Sequence, residues 1–314
     1  MAALSIVRPG MFTTVQDLGR WGFQSRGVPV CGAMDHYSHR LANRLVGNSD
    51  QAATLELTLT GPQIRFENQT SFAVTGAVFA LTLDASVVDM NRMIEAPAGS
   101  ILRFGERQLG ARSYIAIQGG VDVPMVLGSR STHVLTRMGG LDGRALRAGD
   151  TIHTLTGVRG EGREVMTSPP SPLPPLPSSL TPTRIPDGGA RLRVIPGDQR
   201  LFHQLASRRF SISSHSDRMG YRLEGSNVGD VPAAELISSA VVTGAIQVTP
   251  AGQAILLMAD HATTGGYPIG AAVIAADVPR AGQLAPGDWI EFEACSLERA
   301  DVALREQEAV FGGR

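Results

Sequence analysis

The sequence predicts a mainly β protein of two domains with a few short helices. Three observations predict it. Short apolar runs alternate with period two, as in Ala53-Thr-Leu-Glu-Leu-Thr-Leu-Thr60. Glycine is abundant, at 36 of 314 residues, and with Asn, Asp and Pro it punctuates those runs. A stretch over 168–186 holds eight prolines in nineteen residues and almost no charge, which marks a linker. The expected layout is an N-terminal β domain over 1–165, the linker over 166–188, a C-terminal β domain over 189–295 and a terminal helix over 296–314.

In chain order, Asp35 is placed to cap a helix running to Val46, with Tyr37, Leu41 and Leu45 on one face. Gly47-Asn48 suits its left-handed C-cap. Leu55, Leu57 and Leu59 share one face of a strand. Phe72 and Val74 continue that pattern, then Phe79, Leu81 and Leu83. Further strands are expected over 113–117, 254–258, 271–275 and 289–292. Asp198 and Ser296 are placed to cap two more helices, the last bearing Leu297, Leu304 and Phe311. The halves echo each other. Ala148-Gly-Asp-Thr-Ile152 and Pro286-Gly-Asp-Trp-Ile290 each lead into a strand, and 114–124 resembles 272–279. This reads as an internal duplication. So many short strands with few covering helices suit closed barrels or sandwiches.

Composition excludes several functions. A net charge of −1 lacks the basic excess of a nucleic-acid or anionic-membrane surface. No window reaches the ~18 apolar residues of a membrane span, and the N-terminus lacks a signal-type apolar region, so a cytoplasmic location is expected. Cys31 and Cys295 are far apart and read as small buried hydrophobes. The chain contains no lysine, and all 28 basic residues are arginine. That excludes a Schiff base, a Walker A loop, biotin carried on this chain and a Ser-Ser-Lys amidase triad.

Four segments gather polar residues around glycines. Gln16-Asp-Leu-Gly-Arg-Trp-Gly22 is either a turn with a surface ion pair or an arginine fork for a carboxylate or phosphate. Gly128-Ser-Arg-Ser-Thr132 suits an anion or ordinary turn capping. Ser216-Asp-Arg-Met-Gly-Tyr-Arg222 repeats the Asp/Arg/Gly theme, for a site or a structural network. Asp260-His-Ala-Thr-Thr-Gly-Gly-Tyr-Pro268 follows a strand and offers backbone N–H groups for an anion nest, or a plain hairpin with glycine at positive φ. Asp260 or His261 can move a proton there, and Tyr267 can donate a hydrogen bond. Gln247 lies on a neighbouring expected strand. His36 and His39 read as an exposed pair rather than metal ligands, since no third ligand is near.

The order of these segments carries more than any one of them. Gln-Asp-Leu-Gly-Arg at 16–20, Gly-Ala-Met-Asp at 32–35, Ala-Asn-Arg-Leu-Val-Gly-Asn at 42–48 and Leu-Glu at 55–56 come first. Gly-Ser-Arg-Ser-Thr at 128–132, Asp-Arg-Met-Gly at 217–220, Gly-Ala-Ile-Gln at 244–247 and Thr-Thr-Gly-Gly-Tyr at 263–267 follow. Over about residues 4–293 this series resembles the family of 5-oxoprolinase C subunits, also labelled allophanate hydrolase subunit 2 or biotin-dependent carboxyltransferase subdomains A and B. Departures are Gly197-Asp-Gln199 for the usual Gly-Pro-Gln, and Gln247-Val-Thr-Pro250 for Gln-Val-Pro-Pro.

The resemblance implies two cyclophilin-like β-barrel domains and an ATP-dependent opening of 5-oxo-L-proline to L-glutamate. It implies a kinase-inhibitor-like B subunit, the partner in activating the lactam, and an A subunit that hydrolyses it. ATP, with or without Mg²⁺, is expected either at an unconventional site on this chain or at one shared with the partner. Asp217, Arg218, Asp260 and Tyr267 are the expected catalytic groups. Gln16, Asp17, Arg20, Ser129, Arg130, Ser131, Thr132, Gln247, Thr263, Thr264, Gly265 and Gly266 are the expected substrate- and anion-binding groups, and no metal ligands are expected. Two alternatives stay open: a carboxyltransferase subunit of a biotin-dependent urea or amide carboxylase, and a non-catalytic subunit that antagonises a kinase inhibitor.

Overall fold

The structure is a computed structural model and describes residues 3–155, 188–229 and 237–312. The expected proline-rich linker lies outside the described residues except for Gly188. Chain contacts divide the described residues into two compact units, 3–21 with 31–155, and 22–30 with 188–229 and 237–312.

The first unit carries β1 (Ala3–Arg8), β2 (Phe12–Gln16), α1 (His36–Leu45), β3 (Thr54–Thr58), β4 (Gln63–Phe66), β5 (Thr70–Leu83), β6 (Ser86–Val88), β7 (Met93–Ala96), β8 (Ile101–Ile117), β9 (Val121–Asp122) and β10 (Thr151–Thr154). Its barrel-like sheet runs β2-β3-β8-β4-β1-β10-β9, with β5 on β8 and the short β6 and β7 on β5. The apolar parity of β5 switches from Phe72 and Val74 to Phe79 and Leu81. The register against β8 shifts three times between Gly76 and Leu81, and each bulge turns the following side chains over. All four therefore reach one core with Leu4, Ile6, Leu55, Leu57, Ile64 and Phe66. Phe66 and Phe72 stack there at 4.9 Å. Each fully buried Leu, Ile or Phe contributes about 1.5–3 kcal/mol.

The opposite face of β5 and β8 is covered by α1, where Ala42 and Val46 meet Ala73, Tyr114 and Ala116. Asp35 caps the helix by accepting from Ser38 N at 2.9 Å. Gly47, at φ 73, and Asn48 end it, and Asn48 N donates back to Asn43 O at 2.8 Å. His39 is wholly buried. It is therefore not half of an exposed pair: its ring nitrogens meet Thr54 Oγ1 at 2.9 Å and Asp50 O at 3.1 Å.

The second unit carries β11 (Gly189–Pro196), α2 (Gln199–Ala206), β12 (Phe210–Ile212), β13 (Gly220–Glu224), β14 (Ser239–Ala240), β15 (Ala245–Val248), β16 (Ala254–Leu257), β17 (Thr264–Gly265), β18 (Ile269–Val273), α3 (Val278–Gly282), β19 (Trp289–Ala294) and α4 (Leu297–Ala309). Seven strands close a barrel in the order β11-β18-β15-β16-β13-β12-β19, and β14 pairs with β17 beside it. Closure leaves that sheet no open edge. Asp198 and Ser296 cap α2 and α4 as the sequence predicts.

The Gly-Asp echo is a shared turn. Gly149 N donates to Ile6 O and Ile6 N to Asp150 O; likewise Gly287 N donates to Ile212 O and Ile212 N to Asp288 O. The Asp carboxylate accepts from the first residue of each turn, from Arg147 N at 2.7 Å and from Ala285 N at 2.8 Å. The other echo does not match: 121–122 forms β9, whereas Ala275–Asp277 is a 3-10 turn. Both cysteines are buried and free. Among the described residues no helix is long and apolar enough to cross a membrane.

Candidate functional site

In the first unit, β2 delivers Gln16 and Asp17 to the loop 128–132. Thr132 N donates to Val15 O at 2.9 Å, which extends the strand's pairing and fixes the loop's register. The Asp17 carboxylate then accepts from Ser129 Oγ (2.7 Å), Ser131 Oγ (2.5 Å), Arg130 N (2.6 Å) and Gly19 N (2.8 Å). Ser129, Ser131, Thr132 and Gln16 are all buried. Four donors use the acceptor capacity of Asp17, so its present chemistry is to organise the loop. Arg20, 1% exposed, donates from Nη2 to Ser131 O. Gln16 Nε2 donates to Thr14 Oγ1 at 3.0 Å and Thr132 O at 3.2 Å. The surface ion-pair reading of 16–22 does not hold, because both charges are buried and neither pairs with the other.

Several other motif residues of the first unit are wired together. Glu56 Oε2 accepts from Met34 N at 2.9 Å and from Tyr114 Oη at 2.7 Å, while Tyr114 Oη accepts from Asp35 N at 2.8 Å. Burial, then the Glu56 charge, pushes the Tyr114 phenol well above its ordinary range. Asn48 donates to Ile117 O and accepts from Gly119 N, and Asn43 donates to Ala52 O. Leu-Glu at 55–56, Gly-Ala-Met-Asp at 32–35 and the two Asn of 42–48 thus build one scaffold. Tyr114 escaped the sequence reading because it sits in an apolar strand; the one available signal was a charged Glu56 between Leu55 and Leu57.

In the second unit, the turn before β13 and the loop after β16 are clasped together. Arg218 donates from Nε to Asp260 Oδ2 at 2.9 Å and from Nη2 to Asp260 Oδ1 at 2.8 Å. Asp260 N also donates to Arg218 O at 2.8 Å. Asp217 is exposed, and its Oδ1 accepts from Met219 N at 2.8 Å. His261 is buried, with Nδ1 on Ala262 O at 2.6 Å and Nε2 on Thr243 Oγ1 at 3.1 Å. Burial depresses its pKa, against the opposing pull of the Ala262 carbonyl and Asp260.

The Gly-Gly loop departs from expectation. Neither Gly265 nor Gly266 has positive φ, and Gly265 lies in β17 opposite Ser239. The left-handed nest that would cradle an anion is not formed there. A Cβ at Gly265 would overlap Gln247 Nε2, so that side-chain end would have to shift. Gln247 in turn donates to Tyr267 O at 3.3 Å. Thr263 O accepts from Val241 N, Thr264 is exposed, and Tyr267 is 46% exposed.

The structure thus gathers Gln16, Asp17, Arg20 and 129–132 within the first unit, and Asp217, Arg218, Gln247, Asp260 and 263–267 within the second. Only Asp217, Thr264 and Tyr267 of the second group reach solvent freely. A cavity of about 280 Å³ lies elsewhere in the second unit, lined by Phe210, Glu224, Asn227 and Gln253. Among the described residues no cluster of three or more His, Cys, Asp or Glu is arranged for a metal ion.

Comparison with known proteins fits this organisation. The model of the family described as "Carboxyltransferase domain, subdomain A and B" matches residues 26–294. The C subunit of 5-oxoprolinase from Escherichia coli (strain K12) is 38% identical over 98% of this chain and 96% of that protein. The protein of the same name from Haemophilus influenzae is 35% identical over 94% and 92%. Among solved structures, the K. lactis urea amidolyase superposes with a TM-score of 0.88 at 33% identity. This chain is 98% covered there and spans 19% of that protein. Two β-barrel domains, the ordered motifs and these matches agree: the chain belongs to the carboxyltransferase-domain family, subdomains A and B, alongside the 5-oxoprolinase C subunits.

Proposed function

We propose that this chain is a subunit of an ATP-dependent 5-oxoprolinase, which opens 5-oxo-L-proline to L-glutamate with ATP hydrolysis. One observation carries the reading. The likeness takes in 96% of the E. coli C subunit, not a fragment of a larger enzyme. That name makes the relative one part of an assembly, so the reading includes partners: a kinase-inhibitor-like B subunit and a lactam-hydrolysing A subunit.

The chemistry explains why several components are needed. An unactivated lactam is a poor electrophile, and the carboxylate beside it must be held while the carbonyl is attacked. In this reading Asp217 and Tyr267 face the substrate as proton-handling and hydrogen-bonding groups. Arg218 and Asp260 hold each other and position the two loops, while Thr263, Thr264 and Gln247 shape the wall. The described residues offer no phosphate loop, no glycine nest at 265–266 and no metal cluster. They do not by themselves fit ATP with Mg²⁺, so we assign nucleotide binding to a site shared with, or held by, the partner.

The test is ATP hydrolysis by the three purified components. Turnover that needs 5-oxo-L-proline and stops when this chain is omitted supports the reading. ATP hydrolysis indifferent to 5-oxo-L-proline overturns it.

The fit to the K. lactis urea amidolyase favours a second reading, a carboxyltransferase subunit whose substrate is urea or a similar amide. With no lysine here, biotin would ride on another chain. A biotinylated protein recovered with this chain, and carboxylation dependent on it, would select that reading.

A further inference from the structure

The Arg20 guanidinium is a buried charged group of the first cluster whose bonding is unfinished among the described residues. The side chain is 1% exposed, yet its only hydrogen bond among the described residues is the Nη2 donation to Ser131 O. Nε and Nη1 are buried and have no acceptor among the described residues. Asp17 is the nearest acid in sequence, but it is committed to Ser129, Ser131, Arg130 N and Gly19 N and makes no ion pair with Arg20. Buried polar groups nearly always find partners, and a buried charge without one is among the costliest features a fold can hold.

The surroundings hold this guanidinium in place. Ser131 connects the two charges, with its hydroxyl on Asp17 and its carbonyl on Arg20. Gly139, at φ 65, lies against Nη2, where a Cβ would come within 2.8 Å of that nitrogen. Nε and Nη1 sit on either side of Nη2, which carries a second hydrogen. Ser131 O takes one Nη2 hydrogen, so an oxyanion on the other edge is gripped by two donors of a rigid fork, the remaining Nη2 hydrogen and the neighbouring N–H. In the Asp/Arg/Gly segment of the second unit, by contrast, the Arg218 fork is taken by Asp260.

We propose that Arg20 is an anion anchor, and that its free edge takes one oxyanion group, a carboxylate or a phosphate, of a small ligand. The inference deepens the 5-oxoprolinase reading and rests on it for the ligand's identity, since 5-oxo-L-proline and L-glutamate bring a carboxylate and ATP brings phosphate. The occupant contributes the counter-charge that Asp17 does not.

The test uses the full-length chain without partners. Calorimetry would measure binding of 5-oxo-L-proline and L-glutamate in one arm, and of inorganic phosphate and ATP in the other. Arg20→Met removes the fork while keeping an unbranched apolar side chain. It is expected to weaken whichever arm binds by roughly ten- to a hundredfold. A crystal structure of the unaltered protein soaked with the binding ligand covers the case in which the variant does not fold. Density for an oxyanion on Nε or Nη1 supports the proposal. Ordered water on both donors, or binding unchanged in Arg20→Met, overturns it. Oxyanion binding without turnover in the three-component assay would sink the 5-oxoprolinase reading and leave the anchor standing. Turnover without any ligand at Arg20 would do the reverse.

Discussion

Arg218 and Asp260 face each other through two parallel hydrogen bonds of 2.9 and 2.8 Å, with each residue 7% exposed. The pair joins the turn before β13 to the loop after β16. Asp217 in the first of these loops, and Tyr267 just beyond β17, stand in solvent. A buried charge pair adds little over an apolar one but is costly to break from one side.

Arg218→Met should therefore destabilise the protein by about 3–5 kcal/mol, since it leaves Asp260 charged and unpaired. Arg218→Met with Asp260→Leu should recover most of that loss. Urea unfolding of the two variants checks the order. Equal losses would show that the pair is not the fastening element.

Tyr267→Phe should leave stability within about 0.5 kcal/mol, because the ring is half exposed. In the three-component assay it should slow turnover by on the order of ten- to a hundredfold if the hydroxyl reaches the reacting group. Unchanged turnover would remove Tyr267 from the chemistry.

Asp17→Asn should cost roughly 2–3 kcal/mol. An amide cannot accept from all of Ser129, Ser131, Arg130 N and Gly19 N as the carboxylate does. The midpoint of chemical denaturation reports the cost, and faster amide exchange over 129–132 would locate it.

Gly139→Ala and Gly149→Ala make a matched pair at φ 65 and φ 88. At Gly149 a Cβ meets nothing within 4 Å, so only the left-handed backbone is penalised, by about 1 kcal/mol. At Gly139 it would also overlap the Ser131 carbonyl oxygen. Gly139→Ala should therefore lower the melting temperature clearly more than Gly149→Ala.

Stability should fall on acidification. Burial depresses His39 and His261 below the ordinary value of 6.5, overcoming the opposing pull of Asp17 on His39 and of the Ala262 carbonyl on His261. The unfolded chain then takes up protons first as pH drops, so their contribution is complete above about pH 6.5 and is lost as pH falls through the folded values. Thermal melts between about pH 8 and pH 5 should show this slope, and His39→Gln should flatten it.

Much of this was legible locally. Helix caps at Asp35, Asp198 and Ser296 need only a short side chain and the next turn of backbone. The Gly-Asp turns repeat because an Asp that accepts its own loop's N–H specifies them in any context. The total absence of lysine excluded whole reaction classes without any fold. Closure of the second barrel and the bulges that bring both parities of β5 into one core depend on strands distant in sequence. The same distance separates Asp17 from Ser129, Arg218 from Asp260, and Glu56 from Tyr114. Their partners lie tens of residues or more away, and no local pattern states which carboxylate a buried donor will meet. Residue types and spacing therefore determined the elements and the family; only the packed chain decided which charges are spent on each other and left Arg20 unfinished, because burial alone makes an unmet hydrogen bond costly.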